Sequence, residues 1–135
     1  MINSLKFLEY TDENKNIENL KEIKAWKKAE DLAVRYLKKS GYEIIERNYK
    51  TPFGEIDIIV KTKDTYVFVE VKSGSGIRIN PSERVDDKKY RKIYKSAEYF
   101  INKHQVGKYA KLRIDVVEIV NGNIKHYENI GWDFV

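Results

Sequence analysis

The sequence predicts an α/β fold in which one mixed central sheet is flanked by helices, in the order helix, three strands, helix, two strands. Three observations carry this. Two stretches repeat apolar residues at three- and four-residue spacing, the mark of a helix with one buried stripe. Five shorter runs are rich in Val, Ile, Tyr and Phe with the alternation of half-buried strands. The closures between the first three strands are so short that those strands must be antiparallel neighbours. There are no internal repeats and no low-complexity tract, and 135 residues suit one domain with a sizeable core.

Taken in order, residues 1–16 are polar and Asn-rich, with a short apolar patch at Leu5, Phe7, Leu8 and Tyr10. They read as an appendage to a single domain over 17–135. From Ile17 the pattern turns helical, and Ile23, Trp26, Ala29, Ala33, Tyr36 and Leu37 mark one buried stripe. Lys38 and Lys39 suit the negative end of the helix dipole, and Gly41 supplies the stop. YEIIERNYK (42–50) is a strand closed by Thr51-Pro52-Phe53-Gly54. GEIDIIVKT (54–62) turns through Lys63-Asp64 into TYVFVEVKS (65–73), and SGSGIRINPS (73–82) is a glycine-bearing loop beside Lys72. A second helix runs from Val85 to Lys103, with Asp86 or Asp87 near its start and a stripe of Tyr90, Ile93, Tyr94, Ala97, Phe100 and Ile101. KLRIDVVEIVN (111–121) and NIKHYENI (123–130) are two more strands joined by an Asn-Gly hairpin turn.

Composition removes several chemistries. The chain has no cysteine, which excludes disulfides, thiolate zinc sites and cysteine nucleophiles together. Its two histidines, His104 and His126, are far apart and join no constellation, so both are assigned to the surface. No uncharged apolar run approaches the ~20 residues of a membrane span, and nothing resembles a signal peptide, so the expected address is cytoplasmic with no membrane partner. The net charge of +5 permits a nucleic-acid partner without demanding one. The chemistry left to the chain is that of Asp, Glu, Lys, Arg and Tyr.

Some of those residues stand where apolar ones belong. In VFVEVK (67–72) the alternation sets Val67, Val69 and Val71 on one face and Phe68, Glu70 and Lys72 on the other. In GEIDIIV, Glu55, Asp57 and Ile59 share one face and Ile56, Ile58 and Val60 the other. The hairpin brings these strands together, so Asp57 and Glu70 can meet in one of the registers open to it. Glu30, at helical spacing from Trp26, Ala33 and Leu37, falls on the apolar stripe of the first helix. Buried carboxylates cost several kcal/mol each unless paired or bound to a cation. Mg²⁺ relieves that strain, since it takes one or two carboxylates together with water and substrate phosphate. A lysine two residues from a ligand can then orient an attacking water or steady charge building on a phosphate. The competing reading is an amphipathic hairpin whose solvated side carries Glu70 and Lys72 as a surface ion pair.

An Asp on one strand followed by Glu-x-Lys on the next resembles the PD-(D/E)xK signature of restriction-endonuclease-like nucleases. AEDLAVRYLKKSGYEIIERNY, GEIDIIV, VFVEVKS, the lysine-rich helix from Asp86 and RIDVV together resemble the YraN-like family of endonucleases, itself similar to archaeal Holliday-junction resolvases. The likeness runs from Ala25 to the end. It implies a restriction-endonuclease-like fold and a metal-dependent endonuclease, using Mg²⁺ or Mn²⁺, that hydrolyses phosphodiester bonds in DNA, branched DNA included. It also implies that Asp57 and Glu70 are metal ligands with the Val71 carbonyl, that Lys72 is the catalytic lysine, and that Glu30 helps hold metal-bound water. Glu55 matches the same motif as a supporting acid, and Lys89 matches a lysine at the head of the second helix that contacts phosphate. The chain departs from the family at Trp26-Lys27-Lys28-Ala29, where a Gly-Arg pair and a further glycine are usual, and at Ser73-Gly74, which replaces Thr-Arg. These departures bear on substrate preference. The alternative is a non-catalytic nucleic-acid-binding or scaffold protein on the same fold.

Lys88, Lys92 and Lys95 lie opposite the apolar stripe of the second helix, with Arg84 and Arg91 nearby, as a nucleic-acid footprint or an ordinary solvated face would. Arg78 in the glycine-bearing loop can also reach a backbone phosphate. Trp132 and Phe134 either cap the core or form part of a homodimer face, which an enzyme cutting two strands needs.

Overall fold

The computed structural model describes residues 4–74, 85–107 and 109–130, with side chains from residue 16 onward. Helix α1 (Ser4–Lys39) is followed by β1 (Glu43–Thr51), β2 (Gly54–Thr62), β3 (Thr65–Gly74), α2 (Asp87–Lys103), β4 (Lys111–Val120) and β5 (Asn123–Tyr127). The strands form one sheet in sequence order, antiparallel except for β3 beside β4. A parallel pair requires the chain to return along the sheet, and α2 lies in that connection. The expected element order and mixed sheet are therefore present.

Local sequence accounts for the turns. Gly41 closes α1 with φ of 93°, and Tyr42 N–H bonds back to the Leu37 carbonyl at 3.0 Å. Asn121 and Gly122, with φ of 52° and 78°, make the hairpin turn between β4 and β5, in which both central residues need positive φ. Asp86 caps α2 by accepting the Lys89 N–H at 2.8 Å.

The sheet is packed on both faces. Ala29, Ala33, Val34 and Leu37 of α1 meet Ile58, Val60, Val67, Val69, Val71 and Val117. Ile93, Ala97 and Phe100 of α2 meet Ile56, Ile59, Phe68, Ile114 and Val116. Covering both faces explains why β2, β3 and β4 read as nearly continuous apolar runs.

Three expectations about burial change. Ile23 is 62% exposed and Trp26 is also exposed, so the buried stripe of α1 begins only at Ala29. The reason is length. The helix starts at Ser4, inside the stretch set apart as an appendage, and its 36 residues span about 54 Å. Strands of nine or ten residues span only about 30 Å, so the first half of α1 has no sheet beneath it. Tyr94 is likewise exposed on α2. Ile56 packs with the α2-side cluster, not with Ile58 and Val60. Among the described residues no helix is long and apolar enough to cross a membrane.

His126 departs from its surface assignment. Its side chain is buried between α1 and β4, with Nε2 2.7 Å from Asp115 Oδ2 and Nδ1 2.9 Å from the Tyr36 hydroxyl. The Nε2–H tautomer meets both contacts, donating to Asp115 while the tyrosine hydroxyl donates to Nδ1. Asp115, fully buried, also accepts two bonds from Arg113 and one from Asn129 N–H, all at 2.9 Å, and Arg113 donates to the Tyr42 hydroxyl. Burial works against the Asp115 charge, but the His126 and Arg113 hydrogen bonds outweigh it and hold the carboxyl below its ordinary value. Its contribution to stability is thus present above the usual Asp range and lost as pH falls through the lowered value. His104 stays exposed and stacks on Phe100.

Asp115→Ala leaves Arg113, His126 and the Asn129 amide without their common acceptor. We expect a loss of about 3–5 kcal/mol in urea unfolding at neutral pH, and a loss under about 1 kcal/mol would contradict this role.

Candidate active site

The site forms where β2 parts from β3. β2 pairs with β1 from Gly54 onward but with β3 only from Ile58 onward. Continuing the Ile58–Val69 register by one step sets Asp57 opposite Glu70. In place of a further ladder bond, Asp57 Oδ2 accepts the Val71 N–H at 2.8 Å. The same parting releases Ile56 to the α2-side core and turns the strand so that the Asp57 carboxylate lies at the mouth of the split.

Asp57 and Glu70 are 8% and 7% exposed. Burial and then the Glu70 charge raise the Asp57 pKa to about 7, with the Val71 N–H pulling the other way and Glu30 adding to the rise. Two lysines answer from the other side. Lys72 Nζ lies 3.6 Å and Lys89 Nζ 2.8 Å from the same Glu70 oxygen, Oε1. Lys72 is pushed below the ordinary lysine value by burial and by Lys89, against the pull of Glu70. Burial pulls Lys89 down, but the Glu70 bond and charge, Lys72 and Asp57 together outweigh it and hold Lys89 above the ordinary value. The resemblance implies a phosphate contact for Lys89, and in this structure its ammonium lies on a carboxylate of the site.

α1 delivers Glu30, 4% exposed, to the same mouth. Burial raises its pKa, Arg47 opposes this, and Glu55 adds to it. Asn48 holds the two acids together. With its amide nitrogen turned toward them, it donates to Glu30 Oε1 at 2.9 Å and Glu55 Oε1 at 3.1 Å. Asn48 has φ of 50°, a left-handed conformation that Asn accepts more readily than most residues. Glu55 itself is exposed, as a supporting acid at the rim.

The structure thus brings Glu30, Glu55, Asp57, Glu70, Lys72 and Lys89 to one place. Val71 belongs to it through its amide, which donates to Asp57. Lys88, Lys92 and Lys95 are exposed on α2. Arg78, Arg84, Trp132 and Phe134 lie outside the described residues. Two site residues escaped the sequence reading. Asn48 gave no signal beyond being a poor strand former in a strand. Glu118 did give one, since alternation from Ile114 and Val116 sets it on a buried face. It is 1% exposed and stands in parallel register with Lys72, so the two side chains share a face.

Among the described residues no three His, Asp or Glu side chains close around a single point. The donors present are Asp57 and Glu70, with Glu30 behind them. That set suits a hard cation that keeps most of its water and binds through one or two carboxylates plus phosphate. Crowded, buried carboxylates whose pKa is driven upward are also what a cation would relieve.

The profile of the uncharacterised protein family UPF0102 matches residues 29–119. The chain belongs to that family. A UPF0102 protein of Fervidobacterium nodosum is 58% identical over 135 residues, covering 99% of both chains. One of Thermotoga maritima is 46% identical over 105 residues, 78% of this chain and 94% of the relative. One of Campylobacter lari is 42% identical over 105 residues, 78% of this chain and 91% of the relative. The UPF0102 match contains every residue of the site just described, from Glu30 to Glu118.

Because the folded state raises the Asp57 pKa from 3.8 to about 7, folded protein holds a proton that the unfolded chain has released across that window. Stability of the metal-free protein therefore falls as pH rises from about 4 to about 7. Asp57→Asn keeps an acceptor for Val71 N–H and removes the charge. In EDTA at pH 8 it should be more stable to urea unfolding than the wild type, by on the order of a few kcal/mol, and the two should converge near pH 4. A variant that is less stable than the wild type at pH 8 would contradict this account of the site.

Proposed function

We propose that this UPF0102 protein is a metal-dependent endonuclease of the PD-(D/E)xK kind that hydrolyses phosphodiester bonds in DNA. The observation that carries the reading is the opposition of Asp57 and Glu70 at the split between β2 and β3, with Lys72 on the same carboxylate. The resemblance to the YraN-like family supports it, through GEID and EVK at matching places in the strands.

Mg²⁺ or Mn²⁺ bound by Asp57 and Glu70 would supply Lewis-acid stabilisation of charge on the scissile phosphate. The chain's own residues do the rest. Asp57 and Glu70, fixed by the sheet, set where the phosphate can sit. Glu30 and Glu55, tied by Asn48, present acceptors that can orient a water in line with the bond to be broken. Lys72, half-buried and with its pKa lowered, can donate to that water or to a non-bridging oxygen as negative charge develops. Lys89 must leave Glu70 or share it when a cation enters, and its ammonium is then free for a phosphate.

The rival reading also has an observation behind it. An ammonium already 2.8 Å from Glu70 neutralises that carboxylate without any metal, as in a binding protein that keeps the fold with an unused site.

The two separate on cleavage. Labelled single strand, duplex, flap and four-way junction are incubated with Mg²⁺ or Mn²⁺ and with wild type, Asp57→Asn or Lys72→Ala. The nuclease reading predicts metal-dependent cleavage of at least one substrate, lost in Asp57→Asn and reduced about a hundredfold or more in Lys72→Ala. No cleavage of any substrate, with DNA binding unchanged by Asp57→Asn, would leave the binding protein.

A further inference from the structure

Beside the carboxylates lies a feature that phosphodiester chemistry does not use. The turn Thr51-Pro52-Phe53-Gly54 sits at the end of β2 that carries Glu55 and Asp57. It displays Phe53, 46% exposed. An exposed turn phenylalanine on a floppy loop would mean little. This one is held. Thr51 Oγ1 accepts both the Phe53 N–H and the Gly54 N–H at 3.1 Å. The same oxygen lies 2.8 Å from Ser96 Oγ of α2, a buried side chain. Gly54 has φ of 153°, a conformation in which a side chain would be strained. The turn is thus tied to α2, and it leaves the ring exposed.

What surrounds the ring is a groove of about 680 Å³, lined by Phe53, Lys95, Glu98, Tyr99, Asn102 and Lys103. Lys95 Nζ stands 5.9 Å from the Phe53 ring centre and Lys103 Nζ 5.5 Å from that of Tyr99. Along α2, Lys88, Lys92, Lys95, Tyr99 and Lys103 recur at three- and four-residue spacing, so they form one row. That row starts beside Lys89, which is bound to Glu70, and runs to the groove. Aromatic faces alternating with ammonium groups suit a polyanion with flat rings. Stacking and phosphate attraction together are how single-stranded nucleic acid is held. A paired duplex offers no free base face to such a ring, whereas an unpaired nucleotide does.

We propose that the Phe53 groove is a binding site for an unpaired nucleotide of the substrate, with its base on the Phe53 ring and its phosphates along Lys95 and Lys103. Resting on the nuclease reading, this names the substrate class as DNA with single-stranded character next to the cleavage point, such as a flap or a gapped branch. From Phe53 to Asp57 is four residues of extended strand, about 13 Å, so the stacked base lies within a few nucleotides of the scissile bond.

The test is binding without cleavage. In EDTA, a duplex with a single-stranded flap carries 2-aminopurine at successive unpaired positions, and a blunt duplex of the same paired sequence serves as reference. Wild type should quench the probe at one or two adjacent positions. Phe53→Ala should abolish that quenching and weaken flap binding about tenfold, leaving the blunt duplex unchanged, and Phe53→Tyr should behave as wild type. Equal flap affinity in Phe53→Ala and wild type, or an equal loss on blunt duplex, would overturn the inference. Its failure is distinguishable from that of the nuclease reading. Phe53-dependent flap binding by a protein that never cleaves would overturn only the enzyme, and cleavage with Phe53-independent flap binding would overturn only the groove.

Discussion

Two carboxylates facing each other across a gap between strands are the constraint around which this molecule is arranged. Asp57 and Glu70 stand opposite where β2 and β3 cease to pair, almost without solvent. Like charges so placed are unfavourable, and each neighbouring element supplies something that offsets them. β3 gives the Val71 amide, α2 gives Lys89, and Lys72 leans on the same glutamate. The site is an arrangement of compensations, to which the proposed cation would add one more.

The fold explains why the arrangement holds its shape. β3 is the central strand, bonded on both sides and packed on both faces, so Glu70 and Lys72 project from the most rigid part of the sheet. α1 lies on one face and brings Glu30, α2 lies on the other and brings Lys89, and the two helices meet the sheet at the same end. At the other side of the sheet, Asp115 gathers Arg113, His126 and Asn129 and ties β4 to β5, while Tyr36 and Tyr42 carry the tie to α1. That cluster is satisfied by its own partners. The carboxylates at the split crowd one another instead, and Asp57 is held above its ordinary value where Asp115 is held below.

How much of this the sequence discloses depends on the range of the cause. Strands, turns and caps follow from neighbours a few residues apart, so Gly41, Asn121-Gly122 and Asp86 do what their chemistry indicates. Asp57, Glu70 and Lys72 were legible because alternation in a strand shows a charge on a face that should be apolar. Glu30 was legible for the same reason on a helix. The overhang of α1 was not, because the periodicity of Ile23 and Trp26 continues whether or not a sheet lies beneath. His126 was missed because its partner Tyr36 is 90 residues away. Asn48 depends on a local left-handed backbone, and Lys89 on Glu70 depends on how α2 is laid across the sheet. Ile56 changed sides because the split in the sheet rotates it, and no residue pattern encodes that rotation.

The central claim is that Asp57 and Glu70 together form a cation site. Titration of Mn²⁺ followed by electron paramagnetic resonance tests it without requiring a substrate. The account predicts that wild type removes free Mn²⁺ signal saturably, that Mg²⁺ competes, and that Asp57→Asn and Glu70→Gln each lose the site while keeping the wild-type fold by circular dichroism. Wild type that leaves the free Mn²⁺ signal untouched, or variants that bind as wild type does, would contradict it.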